Sequence, residues 1–355
     1  MYKNGVLTYD LPMHMEQGWK HLFQPDFKYK EVSLGVRELN NCFVSHYGLV
    51  VKHGFLVAGC APNLGFSSYD ESVYFRHWRK ASEQYYVSKY GKSLPSIKLD
   101  DTRRYLVIHS PWFSYYFWIT ECIPRLLKVK DDLSNLVLLY PEEWSKISFV
   151  NETLSEFKEL EIQVIPRDYH VFVSRLVMPE VKPWTPMFIP ELVYETRDFL
   201  LNSTQLTKKT SEFGDRIYIS RLRAARRKFT DEARVSSFFK EYGYDSVIME
   251  DYTFFEQIAI MQKATDVTAM TGAGLINLLL KKERGTFIDL TNRDYIHKKQ
   301  YKFHYYKLCN ILNIRYGVCF FDRIDDPQVD HYSNQNLLFT SENVQELLEK
   351  KVFHV

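Results

Sequence analysis

The sequence predicts an α/β protein of two Rossmann-like domains facing a cleft. Three observations carry that reading. From about residue 72, apolar strand segments alternate with helical segments almost to the end of the chain. Such alternation specifies a parallel sheet with helices on both faces. A polar stretch, NSTQLTKKTSEFGD (202–215), interrupts the alternation and is the best linker. At 355 residues the chain is also long for one compact domain and ample for two. The expected division is 1–203, 204–335 and a helical tail over 336–355.

Taken in order, the first sixty or so residues read as short strands and turns, with β-rich runs NCFVSHYGLVV and GFLVAG. SVYFRHWRKASEQYYVSKYG (72–91) reads as helix, 104–109 as strand and 113–129 as helix. A strand at 134–140, a helix at 143–157, strands at 160–165 and 171–178 and a helix at 190–202 follow. Beyond the linker, 216–220 is a strand and 231–241 a helix, with Thr230 as its N-cap and two acids in its first turn. The rest alternates cleanly: strands at 245–249, 265–270, 286–290 and 314–320, helices at 253–263, 273–281 and 300–312. SENVQELLEKKV reads as a terminal helix.

Composition bounds the function. Hydrophobic residues at 45% and charged residues at 25% are near globular averages, so each half has material for a core. The 16% aromatic content is read as core and groove packing. Lys+Arg 46 against Asp+Glu 44 leaves a formal charge of +2, which gives no global field to recruit nucleic acid. Five scattered cysteines without a CxxC pair argue against a disulfide framework and structural zinc, and favour a reducing compartment. The N-terminus lacks a basic region followed by an apolar one, and no stretch approaches the 18 apolar residues of a membrane span. The expectation is a cytoplasmic protein, with room for peripheral contact on the inner face of the membrane.

Four constellations carry chemistry. RIYISRLRAARRKFTDE (216–232) puts Arg221, Arg223, Arg226, Arg227 and Lys228 just beyond a strand's carboxyl end, where open α/β sheets bind ligands. Guanidinium forks match phosphate oxygens, although a basic run can also be a solvated loop. TGAGLINLLL (271–280) follows another strand. Thr271 is placed to cap a helix starting near Ala273, while Gly272 and Gly274 let backbone approach a ligand at a helix N-terminus. Alone, a GAG turn is often only a turn; with the arginines it describes a diphosphate cradle. In YYFWITECIPRLL (115–127), Phe117, Glu121 and Arg125 share one helical face, and Pro124 should kink or end the helix. Glu121 is then either half of an i,i+4 salt bridge or a partly buried general base. Asp289, near the end of strand 286–290, is placed to accept from ribose hydroxyls or to cap a helix. No GxGxxG turn follows an early strand, which disfavours an NAD-dependent oxidoreductase. No two aspartates are spaced as DxD, so no metal is expected.

These segments together resemble glycosyltransferase family 61 over roughly residues 100–320. YYFWITECIPRLL looks like the family's Tyr-Tyr-His-Trp … Glu … Pro-Arg-Leu block, and IYISRLRAARRKFTDEARV is similar to its Ile-Ser-Arg … Arg … Asn-Glu block. FFEQIAIMQKATDVTAMTGAGLINLLL looks like its Glu-Gln-Ile … His-Gly-Ala-Gly-Leu-Thr-Asn block. The resemblance implies a GT-B architecture, a nucleotide-diphospho-sugar donor, usually uridine-linked, and inversion at the anomeric carbon. It puts Arg221 and Arg227 at the diphosphate-binding arginines, with Arg226 beside them, and Gly272, Ala273 and Gly274 at the glycine turn. Glu121 matches the acidic position of the first block. Phe117 and Thr271 stand where the family usually has His, which concentrates the base role on Glu121, with His109 in reserve. The expected partners are a nucleotide-sugar donor and a glycan or lipid-linked glycan acceptor of bacterial capsule assembly. The competing expectation is an inactive nucleotide-binding scaffold of such an assembly.

Overall fold

The computed structural model describes residues 2–3, 6–7, 12–13, 27–28, 34–60, 95–111, 113–182, 188–206, 209–282, 284–294, 304–329 and 335–349. The helix expected over 72–91 lies outside them. By internal contacts the chain divides into two compact units, residues 31–196 and residues 1–30 with 197–355. Strands β1 (Tyr2–Lys3), β2 (Val6–Leu7) and β3 (Phe27–Lys28) form a small antiparallel sheet at the start of the second unit. Met13 makes a bridge with Gly317 and donates its N–H to the Tyr316 carbonyl at 2.7 Å, which joins this N-terminal segment to the edge of the C-terminal sheet.

Residues 31–196 form an α/β unit around one mixed sheet, not the wholly parallel one that strand–helix alternation suggests. Its strands are β4 (Val36–Ser45), β5 (Val50–Lys52), β6 (Phe55–Leu56), β7 (Ser96–Lys98), β8 (Tyr105–Leu106), β9 (Val137–Pro141), β10 (Glu161–Ile165) and β11 (His170–Pro179). The order is β10-β9-β8-β11-β4-β5-β6, with β7 also on β11. From β10 to β11 the pairing is parallel; β11, β4, β5 and β6 pair antiparallel. Turn chemistry explains the hairpin at its antiparallel edge. His53 (φ 52) and Gly54 (φ 81) are both left-handed between the paired Lys52 and Phe55, the conformation a two-residue hairpin requires. Cys42, Val44, Val107, Leu139, Val171 and Val173 form the centre of the core. The helix expected over 143–157 is a 3-10 turn, Glu142–Lys146, followed by the α-helix Ser148–Leu154.

The second unit is α/β around a five-stranded, fully parallel sheet: β12 (Arg216–Ile219), β13 (Asp245–Val247), β14 (Asp266–Met270), β15 (Thr286–Asn292) and β16 (Arg315–Phe321), in the order β13-β12-β14-β15-β16. Tyr218 stacks on Phe239 at 4.7 Å, and Phe229, Phe321 and Phe339 pack together in the same core. Helix Glu232–Glu241 is capped by Asp231, whose carboxylate accepts from Arg234 N–H at 3.0 Å, one residue beyond the expected Thr230. The segment expected as an α-helix over 273–281 is a 3-10 helix, Ala273–Leu280. Leu275–Leu280 are all buried, and the carbonyls of Leu279 and Leu280 accept from the side chains of Arg197 and Gln262. Those contacts satisfy carbonyls that any helix end leaves unpaired. All five cysteines, in both units, are buried free thiols.

Candidate functional site

In the parallel sheet, the chain leaves β12 for β13 on one side and then crosses to β14 on the other. The carboxyl ends of β12 and β14 are therefore the topological switch point, where an open α/β sheet leaves a crevice for ligand. Both motif loops of this unit start there. Arg221 follows β12 directly, and its N–H donates at 2.7 Å to the buried carboxylate of Glu232. Tyr218 Oη (2.6 Å) and Ser220 Oγ (3.4 Å) donate to the same carboxylate. The Arg221 side chain folds back across its own loop: Nε donates to the Arg227 carbonyl and Nη2 to the Arg226 carbonyl. Nη1 reaches the glycine turn, so close that a Cβ built on Gly272 would lie 2.0 Å from it. Gly272 has an extended φ of −170°, so glycine is required there for room rather than for conformation.

Arg227 takes the left-handed φ of 56°, uncommon outside glycine, and its buried Nε has no hydrogen-bond partner. With Met270, Thr271, Thr291, Asn292 and Gln335 it lines a small pocket at the ends of β14 and β15. Burial first, and Arg227 second, lower the Arg221 guanidinium from its ordinary range. An anion bound beside both guanidiniums would relieve that repulsion. Arg226 is exposed, and Arg223 pairs with Asp251.

The glycine turn is held from behind. Thr271 Oγ1 donates to Asp289 at 2.5 Å, Tyr316 Oη donates to the other carboxylate oxygen at 2.8 Å, and Asp289 is fully buried. This bracing post differs from the ribose contact and the helix cap expected of Asp289. Tyr305 Oη donates to the Gly272 carbonyl. Ala273 and Gly274 open the 3-10 helix, and a Cβ on the exposed Gly274 would meet nothing within 4 Å. The motif's Gln257 and Asn277 bond to each other at 2.9 Å, tying helix Phe254–Lys263 to the 3-10 helix.

The acidic motif lies in the other unit. The helix expected over 113–129 is α-helical at Tyr115–Phe117, π-helical at Trp118–Cys122 and α-helical again at Ile123–Leu127. Pro124 lacks the N–H that a regular ladder needs, and the Ile123 N–H bonds the Trp118 carbonyl in the wider turn. Glu121 lies in that turn at 3% exposure. It does not form the expected ion pair with Arg125, which donates from Nε to the Pro179 carbonyl (2.7 Å) and from Nη1 to the His109 carbonyl (3.1 Å). Glu121 instead accepts from Ser110 Oγ at 3.3 Å and faces Lys182 Nζ at 3.9 Å. Thr120, Glu121, Arg125, Lys128, Glu180 and Lys182 line one pocket. Burial raises the Glu121 carboxyl, opposed by Lys182, Arg125 and the Ser110 hydroxyl in that order. Phe117 is half-buried against Tyr116.

His109 is buried, with its ring edge-on to Trp144 at 5.1 Å. Its Nε2 lies 3.1 Å from the His46 carbonyl, which can only accept, so the proton is on Nε2 and Nδ1 is a buried lone pair without a partner. Burial, with Arg125 second, pushes the ring down to about 3. Sequence reasoning missed Lys182, Glu232 as the brace of Arg221, and Tyr305. Only Glu232 carried a signal, as an acid in a first helical turn.

Parallel-sheet topology and a cationic loop against a glycine turn define an α/β protein with a positively charged crevice at its switch point. The model of the Glycosyltransferase 61 family matches residues 115–288, a span that holds Glu121, the arginine loop and the glycine turn. Over this segment the chain matches glycosyltransferase family 61, and that family implies a glycosyltransferase. No curated protein matches the chain. Among the described residues, no helix is long and apolar enough to cross a membrane, and no three His, Cys, Asp or Glu side chains gather as a metal site would need.

Proposed function

We propose that this glycosyltransferase is a GT-B enzyme that moves a sugar, with inversion, from a uridine-diphospho-sugar to a glycan or lipid-linked glycan acceptor. Its place is bacterial surface-polysaccharide assembly, on the cytoplasmic side of the membrane. The supporting observation is the Arg221 guanidinium pressed against Gly272 at the switch point, with the unpartnered Arg227 Nε beside it. Donors fixed there would take up the charge on the departing diphosphate. In the transfer, the acceptor oxygen forms a bond to the anomeric carbon as the bond to the diphosphate oxygen breaks, and a base takes the acceptor's proton. Glu121 is that base. A buried carboxyl with a raised proton affinity, facing the Lys182 ammonium, suits the role better than His109, whose burial keeps it a weak base. Asp289 serves this reading as the support of Thr271 and the turn.

Calorimetric titration with uridine diphosphate tests the cradle. Arg221→Ala and Arg227→Ala should each weaken binding by about 1.5–3 kcal/mol, the range for hydrogen bonds to charged groups. Unchanged affinity in both would remove the assignment. Glu121→Gln should keep donor binding and lower turnover by about 10²–10⁴. Near-normal turnover in that variant would place the base elsewhere, and donor binding without transfer in the parent protein is the scaffold outcome.

A further inference from the structure

A base must be ionised to accept a proton, yet a carboxylate withdrawn this far from water loses the solvation that favours its charge. The compensating charge has to come from the groups around Glu121. Arg125, on the same helix, adds the second share of positive charge, but its Nε and Nη1 are held by the carbonyls of Pro179 and His109 rather than by Glu121. Ser110 contributes a neutral hydrogen bond, and Cys122 is a thiol that burial keeps protonated. Glu180 has the wrong sign and is already paired with Arg37 at 2.6 Å, besides accepting from Gly35 N–H at 3.0 Å. Lys128 is exposed to water. Lys182 is different. It follows β11, is 6% exposed, and holds its Nζ 3.9 Å from Glu121 Oε1, the ion pair that Glu121 makes among the described residues.

We propose that Lys182 is a positioning residue that holds Glu121 ionised in its pocket, ready to receive the acceptor's proton. The inference rests on the reading of Glu121 as the base, and its test reads the ionisation separately from the reaction. In the infrared, the protonated-carboxyl band of Glu121 is the one that Glu121→Gln removes. At pH 7 the parent protein and Lys182→Arg should show no such band, and Lys182→Met should show it. The pH profile of turnover should follow: Lys182→Met moves the acid limb up by about one unit or more, the range for an opposite charge at this distance, and recovers activity at high pH. Lys182→Arg should keep the parent's limb. A band already present in the parent at pH 7, or activity in Lys182→Met lowered equally at every pH, would overturn the proposal. Should Lys182→Met fail to fold, the parent's spectrum and Lys182→Arg decide alone. Normal turnover in Glu121→Gln would instead dismiss the base reading and leave the infrared result standing.

Discussion

Gly272 shows how a single residue is fixed by its neighbour rather than by its own backbone. Its extended φ is open to any amino acid, but the space its Cβ would need is filled by Arg221 Nη1. The obstacle is the far end of a flexible side chain, so Gly272→Ala should leave thermal stability within about 1 kcal/mol of the parent. It should cost affinity for uridine diphosphate about as much as Arg221→Ala, because the guanidinium has to leave. Paired melting curves and calorimetric titrations read the two effects, and normal affinity with normal stability would break the link between glycine and cradle. The sequence announces both glycines of the turn, but only the three-dimensional contact separates the crowded Gly272 from the open Gly274. The arginine run was legible because it follows a strand end directly. Lys182 was not, since it lies sixty-one positions after Glu121 and no local pattern joins them.

Helix ends were legible where their chemistry is local. At the start of helix Phe254–Lys263, Glu256 accepts from the N–H (2.9 Å) and hydroxyl (2.7 Å) of Thr253 and pairs with Lys209 at 2.8 Å. Lys209 and these donors hold the Glu256 carboxyl down at about 2, below an unfolded value of about 4.3. A carboxyl lowered on folding stabilises above its unfolded pKa and loses that contribution as pH falls through its folded pKa. Glu256→Gln should therefore destabilise by about 1 kcal/mol at pH 7, discounted for partial exposure, and the gap from the parent should close between about pH 4 and pH 2. Urea unfolding of both proteins at several pH values checks this, and a gap independent of pH would contradict it. The 3-10 helix after Gly272 and the π turn around Glu121 were not legible. The first carries six consecutive buried residues, Leu275–Leu280, with no one-sided pattern to read, and the second turns on a missing N–H whose consequence depends on packing.

For the whole chain, strand–helix alternation gave the parallel sheet of β12–β16 nearly strand for strand, because each strand pairs with one reached through a short crossover. The sheet of residues 31–196 resisted the same logic. Its central pairing joins β4 to β11 across more than a hundred residues, and its antiparallel edge is set by turns such as His53–Gly54. The cations at the switch point also bear on what the reaction needs. If Arg221 and Arg227 supply the charge that a metal would otherwise bring, activity in excess EDTA should equal that of the untreated enzyme. Loss of activity that Mn²⁺ restores would sink this cationic mechanism.

The burial of all five thiols gives the molecule a property unrelated to sugar transfer. Burial pushes Cys42 and Cys60 up to about 11, and raises Cys122 and Cys309 as well, so little reactive thiolate is present in the native protein. An alkylating reagent can then reach these atoms only when the surrounding structure opens. Cys42, Cys60 and Cys122 report on residues 31–196, while Cys309 and Cys319 report on the parallel-sheet unit. Iodoacetamide followed by peptide mass spectrometry should label none of the five quickly in buffer. In rising urea it should label one group before the other if the units open separately, and both together if they open as one. The native chain thus carries a separate unfolding clock for each unit.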